Sequence, residues 1–241
     1  MNLAVDIGNT RVKLGLFEGD QLVETYFWSK WSVEEFLAFS TNLNTKKVIL
    51  STVSSSLSQN DIDQLGKHFF FIQLNKNTAL PIVNEYETPE TLGKDRLAAV
   101  VGANHLYPKE NCLVIDAGTC ITLDVITAKG HFKGGNISPG LEMRMKAMHH
   151  FTANLPLVEP EELENWLGTN TRSALINGAQ IGTICEMDAF LTLCQEKFHS
   201  INVILTGGDA DFLAKQWKRK IFVHHNLVLR GLNKILEYNV Q

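Results

Sequence analysis

The stretch Met1-Asn-Leu-Ala-Val-Asp-Ile-Gly-Asn-Thr10, continued by Arg11-Val-Lys-Leu-Gly-Leu-Phe17, decides how the rest of the chain is read. Leu3-Ala4-Val5 is a short apolar run of the kind that forms a buried strand. It ends on Asp6, a carboxylate placed where the strand leaves the core. Gly8-Asn9 then supplies turn chemistry before a second strand. A strand-end carboxylate, a glycine turn with backbone N–H groups and a hydroxyl suit a metal-bound phosphate. The same residues also suit an ordinary β-hairpin whose aspartate satisfies turn amides.

The pattern recurs. Cys112-Leu-Val-Ile-Asp116-Ala-Gly118-Thr119 repeats the Val5-Asp6-Ile-Gly8 arrangement, and Asn202-Val-Ile-Leu-Thr206 echoes Val48-Ile-Leu-Ser51. In the first half, Gln21 to Trp28 reads as a third strand. A helix follows from Trp31 to Leu43, with Ser32 as N-cap and Glu34 and Glu35 in its first turn. Then come a strand from Lys47 to Thr52, a helix from Ser55 to Lys67, a strand from His68 to Leu74, a loop from Asn75 to Pro89 and a helix from Thr91 to Tyr107. The second half offers strands at Ile121 to Thr127 and His131 to Ile137. After Asn202 to Thr206 it adds a helix from Ala210 to Lys218, a strand from Ile221 to His225 and a helix from Leu227 to Tyr238.

This shared order predicts an α/β protein of two duplicated lobes, residues 1–110 and 111–241, around a central cleft where ligands sit. The two Asp-x-Gly turns are expected to face each other across it. The second lobe carries an inserted helical segment, 138–171. There Ser138 as N-cap and Pro139 at the first helical position open a helix whose Met143, Met145 and Met148 are packing residues. Arg172 to Phe198 is one long helix. Its Gly178, Ala179 and Gly182 suit a close helix approach, either between subunits or within one lobe.

The bulk composition narrows the partners. The chain has 241 residues, is 44% hydrophobic and carries a net charge of −4. That charge gives no general pull toward nucleic acid or an anionic membrane. No apolar run approaches the roughly 20 residues that span a bilayer, and Asp6 interrupts the only apolar start. The expectation is a soluble cytoplasmic protein with neither a nucleic-acid nor a membrane partner. Cys112, Cys120, Cys185 and Cys194 form no Cys-x-x-Cys pair, so they are expected to be free thiols rather than zinc ligands. The histidines are assigned no role, and Trp28, Trp31, Trp166 and Trp217 are taken as packing anchors. No Gly-x-x-x-x-Gly-Lys-Ser/Thr loop is present. Mg²⁺ must therefore neutralise more of a polyphosphate's charge, with Asp6 and Asp116 as its natural carboxylates, directly or through water.

Asp6-Ile-Gly-Asn-Thr10, Asp116-Ala-Gly-Thr119 and Thr206-Gly-Gly-Asp209 resemble the phosphate and adenosine motifs of the sugar-kinase/actin/heat-shock-chaperone superfamily. That superfamily is built from two ribonuclease-H-like lobes, the actin-like ATPase fold. With Tyr86, Pro89, Gly93-Lys-Asp-Arg96, Gly134-Gly-Asn-Ile-Ser-Pro-Gly140 and Gly168-Thr-Asn-Thr171, the set looks like type III pantothenate kinase. The resemblance implies ATP-dependent phosphorylation of pantothenate to 4′-phosphopantothenate, the first step of coenzyme A synthesis.

It also implies the site residues. Asp6, Ile7, Gly8, Asn9, Thr10, Arg11, Val12 and Lys13 would bind the ATP phosphates, with Mg²⁺ at Asp6. Thr119, Gly207 and Gly208 would contact the nucleotide. Asp95 would accept the proton of the substrate hydroxyl. Tyr86, Gly93, Lys94, Asp95 and Arg96 would line the substrate site, and Thr171 would reach it from the partner of a homodimer. Asp116 would hold a monovalent cation, K⁺ or NH₄⁺. Cys120 departs from the family's usual Ala, and Lys94 is expected to face solvent.

Phosphoryl transfer needs positioning and charge stabilisation more than covalent catalysis. A carboxylate within hydrogen-bond reach is then an adequate proton acceptor. Asp95 falls in the first turn of a helix, whose dipole favours an anion. It also reads as a plain helix-start residue, Arg96 as a structural ion-pair partner, and Thr206 to Asp209 as a plain strand-to-helix turn. Two further functions fit the motifs less closely: a non-catalytic nucleotide-binding regulator, and a phosphatase of the same superfamily.

Overall fold

The computed structural model describes residues 1–8, 10–52, 57–162 and 165–240. Asn9, and Ser55 at the expected start of the second helix, lie outside them. The first sheet has the order β3-β2-β1-β4-β5, from β1 (Asn2–Ile7), β2 (Val12–Glu18), β3 (Gln21–Trp28), β4 (Lys47–Thr52) and β5 (Phe70–Gln73). Strands β1 to β3 run antiparallel, while β4 and β5 continue the sheet in parallel. The second sheet has the order β11-β10-β7-β8-β9-β6. Its strands are β6 (Val83–Asn84), β7 (Cys112–Ala117), β8 (Cys120–Ile126), β9 (His131–Pro139), β10 (Asn202–Thr206) and β11 (Phe222–Val223). Leaving β6 aside, the two orders correspond strand for strand, which is the duplication expected from the repeated Asp-x-Gly motif.

Alternation along the strands sorts the first core. Leu3, Val5, Ile7, Leu14, Val48 and Leu50 pack on one face with Val33 and Phe36 of α1 (Val33–Thr41) and Leu65 of α2 (Gln59–His68). Ser32 and Ser58 cap these helices, accepting from the backbone N–H of Glu35 and Asp61. On the other face, Ala4, Phe17 and Ile49 pack against Ala98 and Val101 of α3 (Lys94–Leu106). Leu229, Leu232, Ile235 and Leu236 of α7 (Leu227–Tyr238) complete that layer. The second core joins β7, β8 and β10 to Met187, Leu191 and Cys194 of α5 (Thr171–Phe198) and to Leu213 of α6 (Ala210–Gln216). Met145 of α4 (Leu141–His150) packs separately with Leu175, Ile176 and Ala179 of α5.

The chain divides into two compact units. One comprises 1–109, 126–133 and 226–241, the other 110–125 and 134–225. Helix α7 packs with the first unit, as does the 126–133 turn, whose β9 residues His131 and Phe132 pair with Val83 and Asn84.

Three details depart from expectation. Ser138 and Pro139 end β9 instead of opening α4, whose N-cap is Gly140. The cause is a contact distant in sequence: the Gly140 backbone is pressed on the Gly118–Thr119 backbone, and a Cβ there would stand 2.1 Å from the Gly118 carbonyl oxygen. The expected loop before α3 contains the short strand β6. Trp28, Trp31 and Trp217 do pack, but Trp166 is 77% exposed. The four cysteines are free, and among the described residues no group of three or more His, Cys, Asp or Glu is placed to hold a metal ion. No helix among them is long and apolar enough to cross a membrane.

Gly231 of α7 lies so close to α3 that a Cβ would stand 1.7 Å from the Ala98 carbonyl oxygen, a contact with backbone that cannot swing aside. Gly231→Ala should therefore cost about 3 kcal/mol or more by forcing the helices apart. Chemical denaturation would measure it, and an unchanged midpoint would refute the close seating.

Candidate active site

The β1–β2 turn is closed by Gly8, whose N–H donates to the Arg11 carbonyl at 3.1 Å. Beyond it lies a cavity of about 350 Å³ lined by Ile7, Gly8, Thr10, Arg11, Val12, Ser29, Lys30, Trp31, Thr52 and Leu57. Five of the residues expected to bind phosphate are thus gathered at one cavity. Its two cations and several hydroxyls suit an anion. Ser29, Lys30 and Trp31 were not anticipated there; their nearness to Thr10 follows from the antiparallel pairing of β2 with β3, which sets Val12 opposite Trp28.

Strand register places Asp6 between Lys13 on β2 and Ser51 on β4. Cross-strand neighbours project to the same face, so these three side chains form one row. Asp6 shares its face with Ala4, and Ser51 shares its face with Ile49, so the row lies on the side of the sheet that α3 covers. The Asp6 Oδ1 is buried. A carboxylate oxygen at the strand end, one residue from the phosphate-type turn, is the hard donor that Mg²⁺ takes, usually alongside water and substrate phosphates.

Helix α3 starts at the end of β4. The Lys94 Nζ donates to the Thr52 carbonyl at 3.3 Å, so Lys94 does not simply face solvent. It bridges the first turn of α3 to the end of β4. It also lines, with Leu97, Leu74, Asn84 and Pro89, a cavity of about 290 Å³. The half-buried Asp95 accepts the Arg96 backbone N–H on Oδ1 at 2.8 Å. Arg96 is only 5% exposed, and its guanidinium lies over the Tyr86 ring at 5.5 Å. Tyr86 in turn stacks on Phe132 with ring centroids 6.1 Å apart. The expected substrate residues Tyr86, Gly93, Lys94, Asp95 and Arg96 therefore do come together. Beside them Glu85 binds His131 at 2.5 Å and also pairs with Lys133. Lys133 first, then His131, hold the Glu85 carboxyl below its ordinary range.

In the second unit, the Gly118 N–H donates to the Cys120 carbonyl at 3.0 Å, closing a turn one residue tighter than its counterpart at Gly8. Cys120 thus serves that turn through its backbone. Asp116 pairs with Thr206 in strand register. Gly207 has φ +98° and lies against Asp116 and Ala117, where a Cβ would stand 2.2 Å from the Ala117 carbonyl oxygen and 2.6 Å from Asp116 Oδ1. Asp116, Thr119 and Gly207 thus share one strand-end cluster with Gly140, rich in carboxylate and carbonyl oxygens and without side chains at its two glycines. That donor set fits a monovalent cation. Asp209, at the N-cap of α6, has its carboxyl pushed up, first by burial and then by the nearby Glu142. Thr171 is exposed in the first turn of α5, held by an Asn170–Ser173 capping box.

The paired sheet orders and strand-end glycine turns define the class: an α/β protein with the ribonuclease-H-like fold of sugar kinases and actin-like ATPases. Among solved structures, the ROK hexokinase of Thermus thermophilus matches with a TM-score of 0.53 at 13% identity, over 99% of each chain. A conserved Baf-family transcriptional-activator candidate from Campylobacter jejuni matches with a TM-score of 0.62 at 25% identity, over 99% of this chain and 98% of that one.

The sequence profile of type III pantothenate kinase matches residues 2–192. Proteins named type III pantothenate kinase from Christiangramia forsetii and Bacteroides fragilis are each 43% identical to this chain, over 99% of it and over 99% and 98% of their own lengths. That of Cytophaga hutchinsonii is 42% identical over 100% of both chains. The chain belongs to the type III pantothenate kinase family.

Gly93 has a direct consequence for Asp95. A Cβ on Gly93 would stand 2.6 Å from Asp95 Oδ1, the mobile end of a short side chain. Gly93→Ala should therefore shift unfolding by only about 1 kcal/mol, the ordinary cost of an N-cap change. Turnover should fall at least tenfold because the carboxylate must rotate away. Parallel denaturation and steady-state assays would separate the two, and wild-type turnover would rule the contact out as functional.

Proposed function

We propose that this chain transfers the γ-phosphoryl group of ATP to the hydroxyl of pantothenate, forming 4′-phosphopantothenate at the start of coenzyme A synthesis. The observation that carries the reading is the first turn of α3. It places Asp95 beside an Arg96–Tyr86 pair, on the face of the sheet that also bears Asp6. Membership of a kinase family favours transfer to an alcohol over a purely regulatory role or a phosphatase.

Asp6 to Lys13 take the ATP phosphates, Thr10 and Arg11 from the turn and Lys13 from β2. Asn9 shares this role, and Thr119, Gly207 and Gly208 contribute to the nucleotide. Mg²⁺ at Asp6 and a K⁺ or NH₄⁺ ion at Asp116 supply charge neutralisation when bound. Arg96 offers a planar donor fork to the carboxylate or carbonyl of pantothenate, and its stacking on Tyr86 fixes the fork's plane. Tyr86, Gly93 and Lys94 complete the pocket wall.

The substrate hydroxyl oxygen forms the new bond to the γ-phosphorus while the bond from that phosphorus to the β–γ bridging oxygen breaks. ADP carries away the electron pair, and the hydroxyl proton passes to Asp95. A loose transition state deprotonates the nucleophile late, so Asp95 acts chiefly by orienting the hydroxyl and receiving its proton.

The working state is a homodimer in which Thr171 reaches the partner's substrate site. Gly178 and Gly182 on α5 support this: a Cβ at either would meet nothing within 4 Å, so the small-residue side of the helix is open. Light scattering should give twice the chain mass. A monomer with full activity would remove Thr171 from the site.

Purified protein with Mg²⁺, K⁺ and ATP should release ADP only when pantothenate is present. Asp95→Asn should keep the fold and ATP affinity and lose about 10²-fold or more in turnover. Turnover near wild type in that variant would exclude Asp95 as the proton acceptor.

A further inference from the structure

Ser51 is the feature that none of these roles uses. It follows Val48-Ile49-Leu50 on β4, a run of fully buried apolar residues. It is itself 0% exposed, and its Oγ has no hydrogen-bond partner among the described residues. A buried hydroxyl without a partner is costly, and most buried polar atoms have one. Packing alone would be served better by Ala or Val at this strand position.

The row explains the hydroxyl. Ser51 is the β4 neighbour of Asp6, and Lys13 is the β2 neighbour on the other side. Adjacent strands lie about 4.8 Å apart, so a serine hydroxyl and an aspartate carboxylate side by side can meet by rotation about χ1 alone. The Lys94 ammonium, also at the end of β4, is directed to the Thr52 carbonyl.

We infer that Ser51 is a positioning residue for Asp6. In the nucleotide-bound protein its O–H donates to the Asp6 carboxylate and fixes the direction in which that carboxylate meets the Mg²⁺ of the Mg·nucleotide. This rests on the reading of Asp6 as the Mg²⁺-side carboxylate. Carboxylates that ligate metals are themselves hydrogen-bonded, and loss of such a partner typically weakens metal affinity by about 10- to 100-fold. The hydroxyl is then satisfied in the loaded state, which accounts for a polar atom left idle in the chain alone.

The test uses the whole chain, with Mg·ADP as the probe and calorimetry as the readout, beside the unfolding midpoint of the ligand-free protein. Ser51→Ala should leave the ligand-free midpoint unchanged or raise it, because it removes an unpartnered buried hydroxyl. It should weaken Mg·ADP binding about tenfold and raise the Mg²⁺ concentration for half-saturation by the same factor. Binding of ADP without Mg²⁺ should not change. Should Ser51→Ala not fold, Ser51→Cys, of the same shape and a poor hydrogen-bond donor, is held to the same criteria. Mg·ADP binding within twofold of wild type, with or without a lowered midpoint, overturns the inference. Asp6→Asn separates the two levels. If it loses Mg·ADP binding while Ser51→Ala keeps it, only the role of Ser51 fails. If it also binds like wild type, the assignment of Asp6 fails.

Discussion

The contact on which the first unit depends is backbone against backbone. Helix α3 lies on Ala4 and Ile49 from one side and against α7 from another, and the absence of a Cβ at Gly231 lets the Ala98 carbonyl come in. Ala98 is one turn from Asp95, and an α-helix rises only 1.5 Å per residue along a stiff axis. Whatever fixes the helix at Ala98 therefore fixes the height and rotation of Lys94, Asp95 and Arg96. A second glycine of the same pair, Gly102, meets the Leu227 carbonyl in the same way. The candidate proton acceptor is held by the packing of main chain rather than by a network around its own side chain.

The second unit uses the same device on its strand ends. Gly140 lies against Gly118 and Thr119, and Gly207 against Asp116 and Ala117. Close backbones bring carbonyl dipoles and the Asp116 carboxylate into one small volume, which concentrates negative potential there. The Asp209 carboxyl is raised for separate reasons, first burial and then the nearby Glu142.

Much of this architecture can be read from the chain because short-range signals dominate it. The Asp-x-Gly turns, the capping serines Ser32 and Ser58, and the apolar runs at Leu3–Val5 and Val48–Leu50 act within a few residues, and the structure follows them. The gathering of Tyr86 with Gly93–Arg96 followed from the family motif, not from any local pattern. What stayed hidden depends on contacts distant in sequence. Nothing around Lys94 announces that its ammonium will meet the Thr52 carbonyl. Serine followed by proline is a sound helix start, but at Ser138 the pressure of Gly140 on the Gly118 turn lets β9 run on instead. Strand β6 is too short to show a period, and its partner is β9, far along the chain. The packing expected of Trp166 rests on its residue type alone, and large aromatic residues also occur at the surface, as this one does.

The place of α7 also bears on how the chain comes to be folded. This helix closes the layer over α3 and β1, yet it is made after every residue of the second unit. At typical synthesis rates of roughly 5–20 residues per second, the apolar side of α3 waits on the order of ten seconds for its cover. The second unit can reach its compact form while the first still shows an open hydrophobic seam. During synthesis the order of completion is thus the reverse of the order of appearance. An arrest in translation anywhere before Leu227 would leave the Asp95 helix without the partner that seats it.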